Sequence, residues 1–492
     1  MGFKIFFMGS HMTKRLLPFC MIALLPLFTS CEDDLSALPT QSKVDGTLVV
    51  DESSALIALH GIYYAYAMTG TDTYGIETTI SARQYEVRPA DFAGTVIYTW
   101  GAFQLETHNP SSMAMGNTFW KQFYSIVNAT NCVIDQISEA PDKVFSGNRK
   151  AEMLGEARCM RAYADYNLLR YYGYYWDIDS PYGIIIRNEH STVSNLPAPR
   201  NSVRETYDQI LADLDYAIEN APSQNEKYFA TKWLAMGLKM RVLMMRGQGS
   251  DYTEVASLAD KIINSGVYTL EDDVVDVFQT KGLNSSEVIF GIKPYAYQTD
   301  VYMSYYMHSY PSDAPQYLAT DNLMKLFEGD PRKERQFWPV VKGLDTKYGI
   351  NKHLVPGVLE ASDIEENQIH MRLTEIYLLK AEALVRQNKL NEARQLLKTV
   401  QTHAGYTDFS QIDNAQTQHD MLQQTFNEYL RSLFCESGRE MDIMMCYPDD
   451  IVLAFNPAYA DKQFSVFPLP VEEFQYNNML RVEDQNPGYG TE

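Results

Sequence analysis

The stretch Met371–Val400 reads MRLTEIYLLKAEALVRQNKLNEARQLLKTV, and its apolar spacing predicts two helices joined by a short polar turn at 387–391. Ala381 and Ala393 stand in opposite halves of the stretch, one on each side of that turn. Because small side chains let two helix backbones approach closely, these alanines predict a tightly crossed pair. The stretch therefore predicts a helical hairpin.

The hairpin pattern extends through the first half of the chain. Tyr377, Ala381, Ala393 and Leu397 fall near the aromatic and small positions of a tetratricopeptide unit, although a generic helical hairpin explains them almost as well. Apolar periodicity bounded by capping, Gly or Pro residues predicts further helices at Asp51–Tyr66, Phe119–Ile137, Arg149–Tyr172, Ser202–Asn220, Thr231–Arg246 and Tyr252–Asn264. Several such pairs favour a mainly α fold, a tetratricopeptide-like helical hairpin scaffold.

The segment between Val267 and Gln368 breaks the helical pattern. It holds short apolar runs such as Val288–Lys293, many Tyr, Gly and Pro residues, and long polar intervals. This composition is typical of loops and short strands, so we expect an irregular region inserted into the scaffold. The predicted organisation is a signal peptide at 1–30, a flexible tether at 31–50, helical regions at 51–266 and 371–492, and the loop-rich insertion at 267–370.

The N-terminus has the features of a lipoprotein signal. Lys14 and Arg15 precede an apolar run that is too short to span roughly 30 Å of hydrocarbon, and small residues precede Cys31. Cys31 is therefore the predicted lipidation site and first mature residue, with an ordinary signal peptide cut nearby as the alternative. Both Met1 and Met12 are candidate starts.

The net charge limits the kinds of partner that the chain can bind, and the cysteine pattern limits the kinds of metal site that it can form. The net charge of −22 disfavours nucleic acid and anionic lipid surfaces, because a strongly acidic surface repels phosphate. The later cysteines Cys132, Cys159, Cys435 and Cys446 are dispersed over apolar-rich segments and form no CxxC pair. They predict buried free thiols rather than a metal site, and the sequence predicts no cofactor.

An ordered set of motifs resembles the helices of the SusD/RagB family. The matched positions are Gly155–Arg158, Arg161–Tyr163 and Leu169–Gly173, then Arg372–Leu378 and Ala381–Ala383, then Glu428–Arg431, Glu436, Gly438 and Arg439, and finally Phe467–Pro470, Glu473 and Gln485–Tyr489. Each motif is soft by itself. Their order, together with the lipoprotein N-terminus, makes the resemblance specific over most of the mature chain.

The charged residues of these motifs also have a purely structural interpretation. Glu436, Arg439 and Asp442 are spaced at i, i+3 and i+6, which predicts a ladder of ion pairs along one helix face. Glu375 and Glu382 are expected to act as polar caps or to pair with neighbours on their own hairpin, namely Arg372 and Lys380. These residues are therefore predicted to stabilise the fold rather than to catalyse a reaction.

The resemblance implies a surface-exposed lipoprotein of a Gram-negative nutrient-uptake system. Such proteins bind a glycan or a peptide without cleaving it and deliver it to a SusC-like TonB-dependent transporter. The implied location is the extracellular face of the outer membrane, with lipid on Cys31 as the anchor. The acidic run that follows Cys31 is similar to the export tag of such lipoproteins.

Two aromatic-rich segments are predicted to hold the ligand. Tyrosine is abundant, with 34 residues, and its ring offers a flat apolar face and a hydroxyl that suit the C–H faces and hydroxyl edges of a sugar. The candidate contacts are Phe92, Tyr98, Trp100 and Asn109 in the first segment, and Tyr295, Tyr297, Tyr302, Tyr305 and Tyr306 in the loop-rich insertion. The resemblance implies that family glycan sites combine these two regions. Packing on the scaffold or on the transporter is the alternative for the insertion tyrosines.

Three other functions compete with glycan uptake. A RagB-like peptide receptor would use the same aromatic segments. A glycoside hydrolase needs two carboxylates about 5 to 10 Å apart, and the sequence singles out no such pair. His60, His353, His370 and His403 are scattered, without HExxH or GxSxG motifs, so no enzyme is predicted. A tetratricopeptide-type adaptor would bind a protein in a concave groove.

Overall fold

The structure is a computed structural model of the whole chain. The residues that it describes are 49–67, 93–98, 114–293, 315, 317–352, 368–436, 439–460, 462 and 465–491. The predicted signal peptide, Cys31 and nearly all of the predicted tether lie outside these residues.

Helices dominate the described chain, which confirms the mainly α prediction. In chain order they are α1 (Glu52–Ala67), α2 (Ala114–Glu139), α3 (Arg149–Tyr172), α4 (Val203–Asn220), α5 (Lys232–Arg246), α6 (Asp251–Ile263), α7 (Asp321–Leu326), α8 (Lys333–Gln336), α9 (Leu373–Arg386), α10 (Leu390–His403), α11 (Ser410–Asn414), α12 (Gln418–Leu433), α13 (Arg439–Cys446), α14 (Asp449–Phe455) and α15 (Val471–Tyr476). Within the described residues, no helix combines the length and apolar character needed to cross a membrane.

Local capping fixes where the predicted helices begin. At the start of α1 the backbone N–H of Ser54 donates to Asp51 Oδ1 over 2.8 Å, as the sequence predicted. At the start of α4, Ser202 and Glu205 form a capping box in which each side chain accepts from the other residue's backbone N–H. These caps satisfy N–H groups that have no partner inside the helix.

The helices pack against one another largely in sequence order. Each of α2 to α5 packs against the next helix, α6 packs against α9, and α9 packs in turn against α10 and α12. Ala381 and Ala393 are fully buried where α9 meets α10, as expected for a close helix crossing. The helical hairpin predicted at Met371–Val400 is therefore confirmed.

Gly155 explains one family motif by close packing. A Cβ at this position of α3 would lie 2.5 Å from the backbone nitrogen of Ala221, at the end of α4. No other residue type fits there without moving one of the two helices. The motif glycine therefore sets the approach of α4 to α3.

Two antiparallel sheets interrupt the helical stack. The strands are β1 (Val96–Tyr98), β2 (Val288–Ile292), β3 (Tyr317–Ala319), β4 (Phe337–Lys342), β5 (Asp345–Ile350) and β6 (Gln368–Arg372). One sheet has the strand order β1-β3-β5-β4, and the other pairs β2 with β6. Short helical segments, Val274–Asp276, Val277–Lys281 and Gly282–Asn284, lead into β2. The short strands expected after Val267 are thus present.

A group of fully buried ion pairs connects several of these helices and strands. We name it the buried ion-pair group. Each of its guanidinium groups faces a carboxylate across 2.6 to 3.0 Å. Its members are Arg241–Glu375, Arg332–Asp330, Arg372–Glu436 and Arg439–Glu382. Most of these residues belong to the motifs that carry the family resemblance, so the structural interpretation of those charges is confirmed.

The ladder of ion pairs predicted along one helix face is confirmed for Arg439 and Asp442 and is wrong for Glu436. Arg439 and Asp442 lie on α13 with charged atoms 3.8 Å apart. Glu436 lies between α12 and α13, and its carboxylate pairs with Arg372 of β6 instead. A break between the two helices removed the regular spacing on which the ladder depended.

The predicted partners of the α9 glutamates are also wrong. Glu375 pairs with Arg241 of α5, and Glu382 pairs with Arg386 and Arg439. The buried face of α9 meets α5, α12 and α13, so most partners come from distant parts of the sequence rather than from the hairpin itself.

The four cysteines in the described part carry free thiols, as predicted. The predicted burial is confirmed for Cys159 and Cys435 and is wrong for Cys132 and Cys446, which are half-buried. Burial raises the pKa of the Cys159 and Cys435 thiols, which keeps both protonated near pH 7. Neither is therefore prepared to act as a nucleophile.

Candidate functional site

The ligand contacts predicted from sequence fall almost entirely outside the described residues. Tyr98 is the last residue of β1, where it lies opposite Tyr317 of β3. The other predicted contacts lie outside the described chain: Phe92, Trp100, Asn109, Tyr295, Tyr297, Tyr302, Tyr305 and Tyr306. Their role in binding stays a prediction.

The described part contains a cleft of about 280 Å³ lined mainly by aromatic side chains, which we name the aromatic cleft. Three elements form it: the second half of α1, the turn before α5, and the end of β2. The residues that line it are His60, Tyr63, Tyr66, Ala67, Tyr228, Phe229, Gly291, Ile292 and Lys293. A concave, mostly apolar site with a few polar groups is typical of small-ligand binding.

Ring packing fixes the wall of the cleft around Phe229. The His60 ring stacks on Phe229 with centroids 4.6 Å apart and planes 9° from parallel. Tyr63 meets the same ring edge-on at 4.8 Å, and Tyr228 lies against it at 4.7 Å. Phe229 thus joins α1 to the turn before α5 and holds neighbouring aromatic rings at the cleft.

Tyr63 ties this wall to a buried carboxyl group. Its hydroxyl donates to Glu156 Oε2 over 3.0 Å and accepts the backbone N–H of Ala230 over 2.8 Å. Burial, which the charge of Arg149 offsets only in part, raises the pKa of Glu156 to about 7. The Tyr63 ring is therefore oriented by two hydrogen bonds behind the cleft.

Tyr66 is held in the same manner by His370 of β6. The hydroxyl oxygen of Tyr66 lies 2.9 Å from His370 Nδ1, and that of Tyr163 lies 3.1 Å from the same nitrogen. Tyr66 also packs edge-on against Tyr163 at 5.2 Å. The floor of the cleft is consequently anchored to both α3 and β6.

Among the described lining residues, the groups that can carry a positive charge are the imidazole of His60 and the ammonium of Lys293. Burial and the charge of Arg149 lower the pKa of His60, so that its ring is neutral at pH 7. Lys293 is exposed, and its ammonium lies 5.3 Å from the centroid of the Tyr228 ring. Within the described chain Lys293 forms no ion pair.

This arrangement offers aromatic faces and polar groups for binding. Among the described residues that line the cleft there is no carboxylate, serine or cysteine. Aromatic faces pack against the C–H faces of a sugar ring, while His60 and Lys293 supply hydrogen-bonding groups at the edge. The chemistry that the cleft offers is shape and hydrogen-bond recognition.

Sequence reasoning did not assign these residues to a ligand site. Tyr63 and Tyr66 were predicted only as the apolar face of α1, and His60 only as a scattered histidine. Tyr228 and Phe229 were not singled out, although two adjacent aromatic residues follow the polar run 223–227 between α4 and α5. Such a pair in a polar turn is a signal that could have been used.

Family profiles match both halves of the chain. Residues 60–244 match a profile described as "Starch-binding associating with outer membrane", and residues 339–489 match one described as "SusD family". The first match begins at His60 in the aromatic cleft, and the second includes Arg372 and Arg439 of the buried ion-pair group.

The chain belongs to the SusD/RagB family. A curated relative, a SusD-like protein of Bacteroides ovatus, is 26% identical over 296 residues, which cover 58% of this chain and 50% of that protein. The chain thus spans about half the length of this relative in the match.

Solved structures of the family share the fold. A putative sugar binding protein from Bacteroides vulgatus is 22% identical with a TM-score of 0.71, covering 90% of this chain and 100% of that structure. A laminarin binding SusD-like protein is 19% identical with a TM-score of 0.65 and the same coverage of both chains. At these identities the agreement concerns the fold, a helical scaffold of the SusD type.

Proposed function

We propose that this SusD-family protein binds an oligosaccharide or polysaccharide at the aromatic cleft and does not cleave it. The observation that carries the proposal is the wall around Phe229, where His60, Tyr63 and Tyr228 are held by packing and hydrogen bonds. Rings fixed before binding lose little entropy when a sugar stacks on them. The family description of starch binding and the laminarin-binding relative support a glycan as ligand.

The predicted aromatic segments extend this site in our proposal. Tyr295 and Tyr297 follow Lys293 by two and four positions in the sequence, directly after the strand that lines the cleft. Trp100, Phe92 and Asn109 are proposed to supply the remaining contacts, as the sequence predicted. The complete site would then combine the described wall with both segments.

We further propose that the bound glycan is passed to a SusC-like TonB-dependent transporter. The protein would be held at the extracellular face of the outer membrane by lipid on Cys31. Family membership and the outer-membrane description of the matching profile support this location and partner.

A calorimetric titration of the chain that begins after Cys31 tests the proposal. The panel includes maltohexaose, laminarihexaose, other neutral and acidic oligosaccharides, and a peptide pool. We expect one glycan class to bind without turnover, and Tyr228→Ala and Trp100→Ala each to weaken that binding about tenfold, since stacked aromatics contribute on this order.

Tyr216→Ala is the matched control for Tyr228→Ala. Tyr216 is a half-buried tyrosine beneath a cation, with Arg158 at 4.2 Å from its ring, but it does not line the cleft. We expect this control to bind the glycan like the unmodified protein. Heat from peptides alone would replace the glycan proposal with a RagB-like peptide receptor, and turnover of an oligosaccharide would overturn the non-catalytic assignment.

A further inference from the structure

A second concave surface lies between three elements of the scaffold and has a volume of about 380 Å³. It is formed by the first half of α2, the segment 185–196 and helix α15 with the residue that follows it. We name it the C-terminal groove and define it by Trp120, Lys121, Tyr124, Asn128, Leu196 and Tyr476. It shares no lining residue with the aromatic cleft.

The walls of the C-terminal groove are joined by hydrogen bonds between its three elements. The indole N–H of Trp120 donates to Glu473 Oε1 over 2.8 Å, which joins α2 to α15. The hydroxyl of Tyr124 donates to the carbonyl of Ile185 over 2.9 Å, which joins α2 to the segment 185–196. Asn477 bonds to the backbone of Ala198 in both directions. The groove is thus formed before any ligand binds.

One ring of this groove is exposed without a structural reason. Tyr476, the last residue of α15, is 81% exposed, and Leu196 beside the groove is 52% exposed. Single exposed apolar residues are ordinary, but here two lie together at a concave, hydrogen-bonded site. Among the described residues, most of the Tyr476 side chain is left uncovered, so its ring offers a flat face.

Polar groups with unused hydrogen-bonding capacity surround that face. Asn128 accepts the backbone N–H of Ser191 through Oδ1, over 2.7 Å. Within the described residues, the Asn128 amide N–H groups, the Ser191 hydroxyl and the Lys121 ammonium make no hydrogen bond. Glu472 lies one helical turn before Tyr476 on α15 and adds a carboxylate to the lining, which also accepts a hydrogen bond from the side-chain amide of Asn117 over 3.3 Å. Donors and acceptors of both charge signs around an aromatic face fit an uncharged polyhydroxyl chain better than a ligand of one charge.

We propose that the C-terminal groove is a second binding site for a neutral oligosaccharide, with the Tyr476 ring as its stacking platform. The choice of sugar as ligand class rests on the proposed glycan-binding function. The residues that would recognise the sugar by hydrogen bonds are Asn128, Ser191, Lys121 and Glu472.

A stoichiometry experiment separates this proposal from the proposed function. Maltohexaose and laminarihexaose are titrated calorimetrically into the chain that begins after Cys31, and into its Tyr476→Ala, Tyr228→Ala and doubly substituted variants. We expect two sites in the unmodified protein, one unchanged and one weakened about tenfold or more in each single variant, and both weakened in the double variant. Because Tyr476 is exposed, its replacement leaves the fold intact, and circular dichroism checks this.

Val482→Ala is the matched control, since Val482 is 69% exposed in the same C-terminal segment but does not line the groove. It is expected to keep both sites. If the unmodified protein has only one site and Tyr476→Ala does not change it, the proposal of a second site is wrong and the proposed function still holds. No binding of either sugar overturns both. Peptide binding that is lost in Tyr476→Ala would reassign the groove to protein docking.

Discussion

In the buried ion-pair group each guanidinium faces a carboxylate, whereas in the aromatic cleft the ammonium of Lys293 faces the ring of Tyr228. The first region is buried, and its charges pair inside the protein. The second opens to solvent and offers ring faces and polar edges that a ligand can still use. The same scaffold thus holds one region whose charges pair inside the protein and another that is open to solvent.

This difference shows that the family motifs coincide with buried charges of the scaffold. Arg372, Glu375, Glu382, Glu436 and Arg439 carry the resemblance, and each of them is buried in an ion pair. A buried charge that loses its partner is costly, so such positions constrain the fold strongly. His60, Tyr228 and Phe229 follow no motif. Motifs therefore identify the scaffold, and the ligand has to be inferred from the geometry of the cleft.

The largest effect is expected from Arg372→Met, which removes the cation between Glu436 and Glu287. Both carboxylates are buried, so the variant should lose about 3 to 5 kcal/mol of unfolding free energy in urea titrations. The folded fraction should bind glycan with unchanged affinity, because Arg372 does not line the cleft. Weaker glycan binding by fully folded Arg372→Met protein would contradict the separation of the buried ion-pair group from the aromatic cleft.

Arg481→Met is the control for Arg372→Met. Arg481 forms an ion pair with Asp484 over 3.4 Å at the surface, three positions along the chain. Exposed pairs of this kind contribute less than about 1 kcal/mol. Equal losses in the two variants would show that burial does not set the strength of these pairs.

The second prediction concerns Glu156, the buried carboxyl group that accepts the hydrogen bond of Tyr63 behind the aromatic cleft. Its folded pKa of about 7 exceeds the value of about 4.3 expected in the unfolded chain. A raised carboxyl pKa contributes stability below the unfolded value, and this contribution is lost as the pH rises through 7. Glu156→Gln cannot ionise, so it should exceed the unmodified protein in stability by up to about 3 kcal/mol at pH 8 and approach it near pH 4.

Urea titrations across this pH range measure the effect. Glu440, whose pKa burial also raises to about 7, keeps part of the pH dependence in the variant.

Glu428→Gln is the comparison variant, in which the opposite pH dependence is expected. Burial alone would raise the pKa of Glu428, but the charges of Arg431 and Arg332 outweigh it and hold the pKa at about 2. Its contribution is therefore present above the unfolded value and lost toward low pH. Parallel curves for the two variants would contradict this assignment.

The helices could be predicted from sequence, but their partners could not. The bounds predicted for α3, Arg149–Tyr172, agree with the structure because capping and apolar periodicity act over a few residues. The pairing of Arg241 with Glu375 joins positions 134 residues apart, which no local pattern reveals. His60 and Phe229 likewise meet only through the packing of α1 against the turn before α5. The sequence therefore indicated that aromatic residues would form the candidate site, but it did not indicate which aromatic residues come together there.

A smaller effect is expected from Tyr63→Phe, because Tyr63 lines the aromatic cleft with its ring and bonds to buried groups with its hydroxyl. Its ring lines the cleft, and its hydroxyl bonds to Glu156 and to the N–H of Ala230. Removing the hydroxyl leaves that buried N–H without its partner, which should cost about 1 to 2 kcal/mol of unfolding free energy. Glycan affinity should change by less than about twofold, since the ring remains. A larger loss of affinity would mean that the hydroxyl itself contacts the ligand.

The smallest effect is expected from Lys293→Met. Lys293 is exposed, so water and salt weaken the attraction of its ammonium to the half-buried Tyr228 ring 5.3 Å away, and thermal stability should be unchanged. Affinity for a neutral glycan should fall about twofold and depend little on salt, whereas Tyr228→Ala should lower it about tenfold. The pair of variants thus ranks the ring above the cation in the cleft. A tenfold loss in Lys293→Met that disappears at high salt would reverse this ranking and show that the ligand carries negative charge.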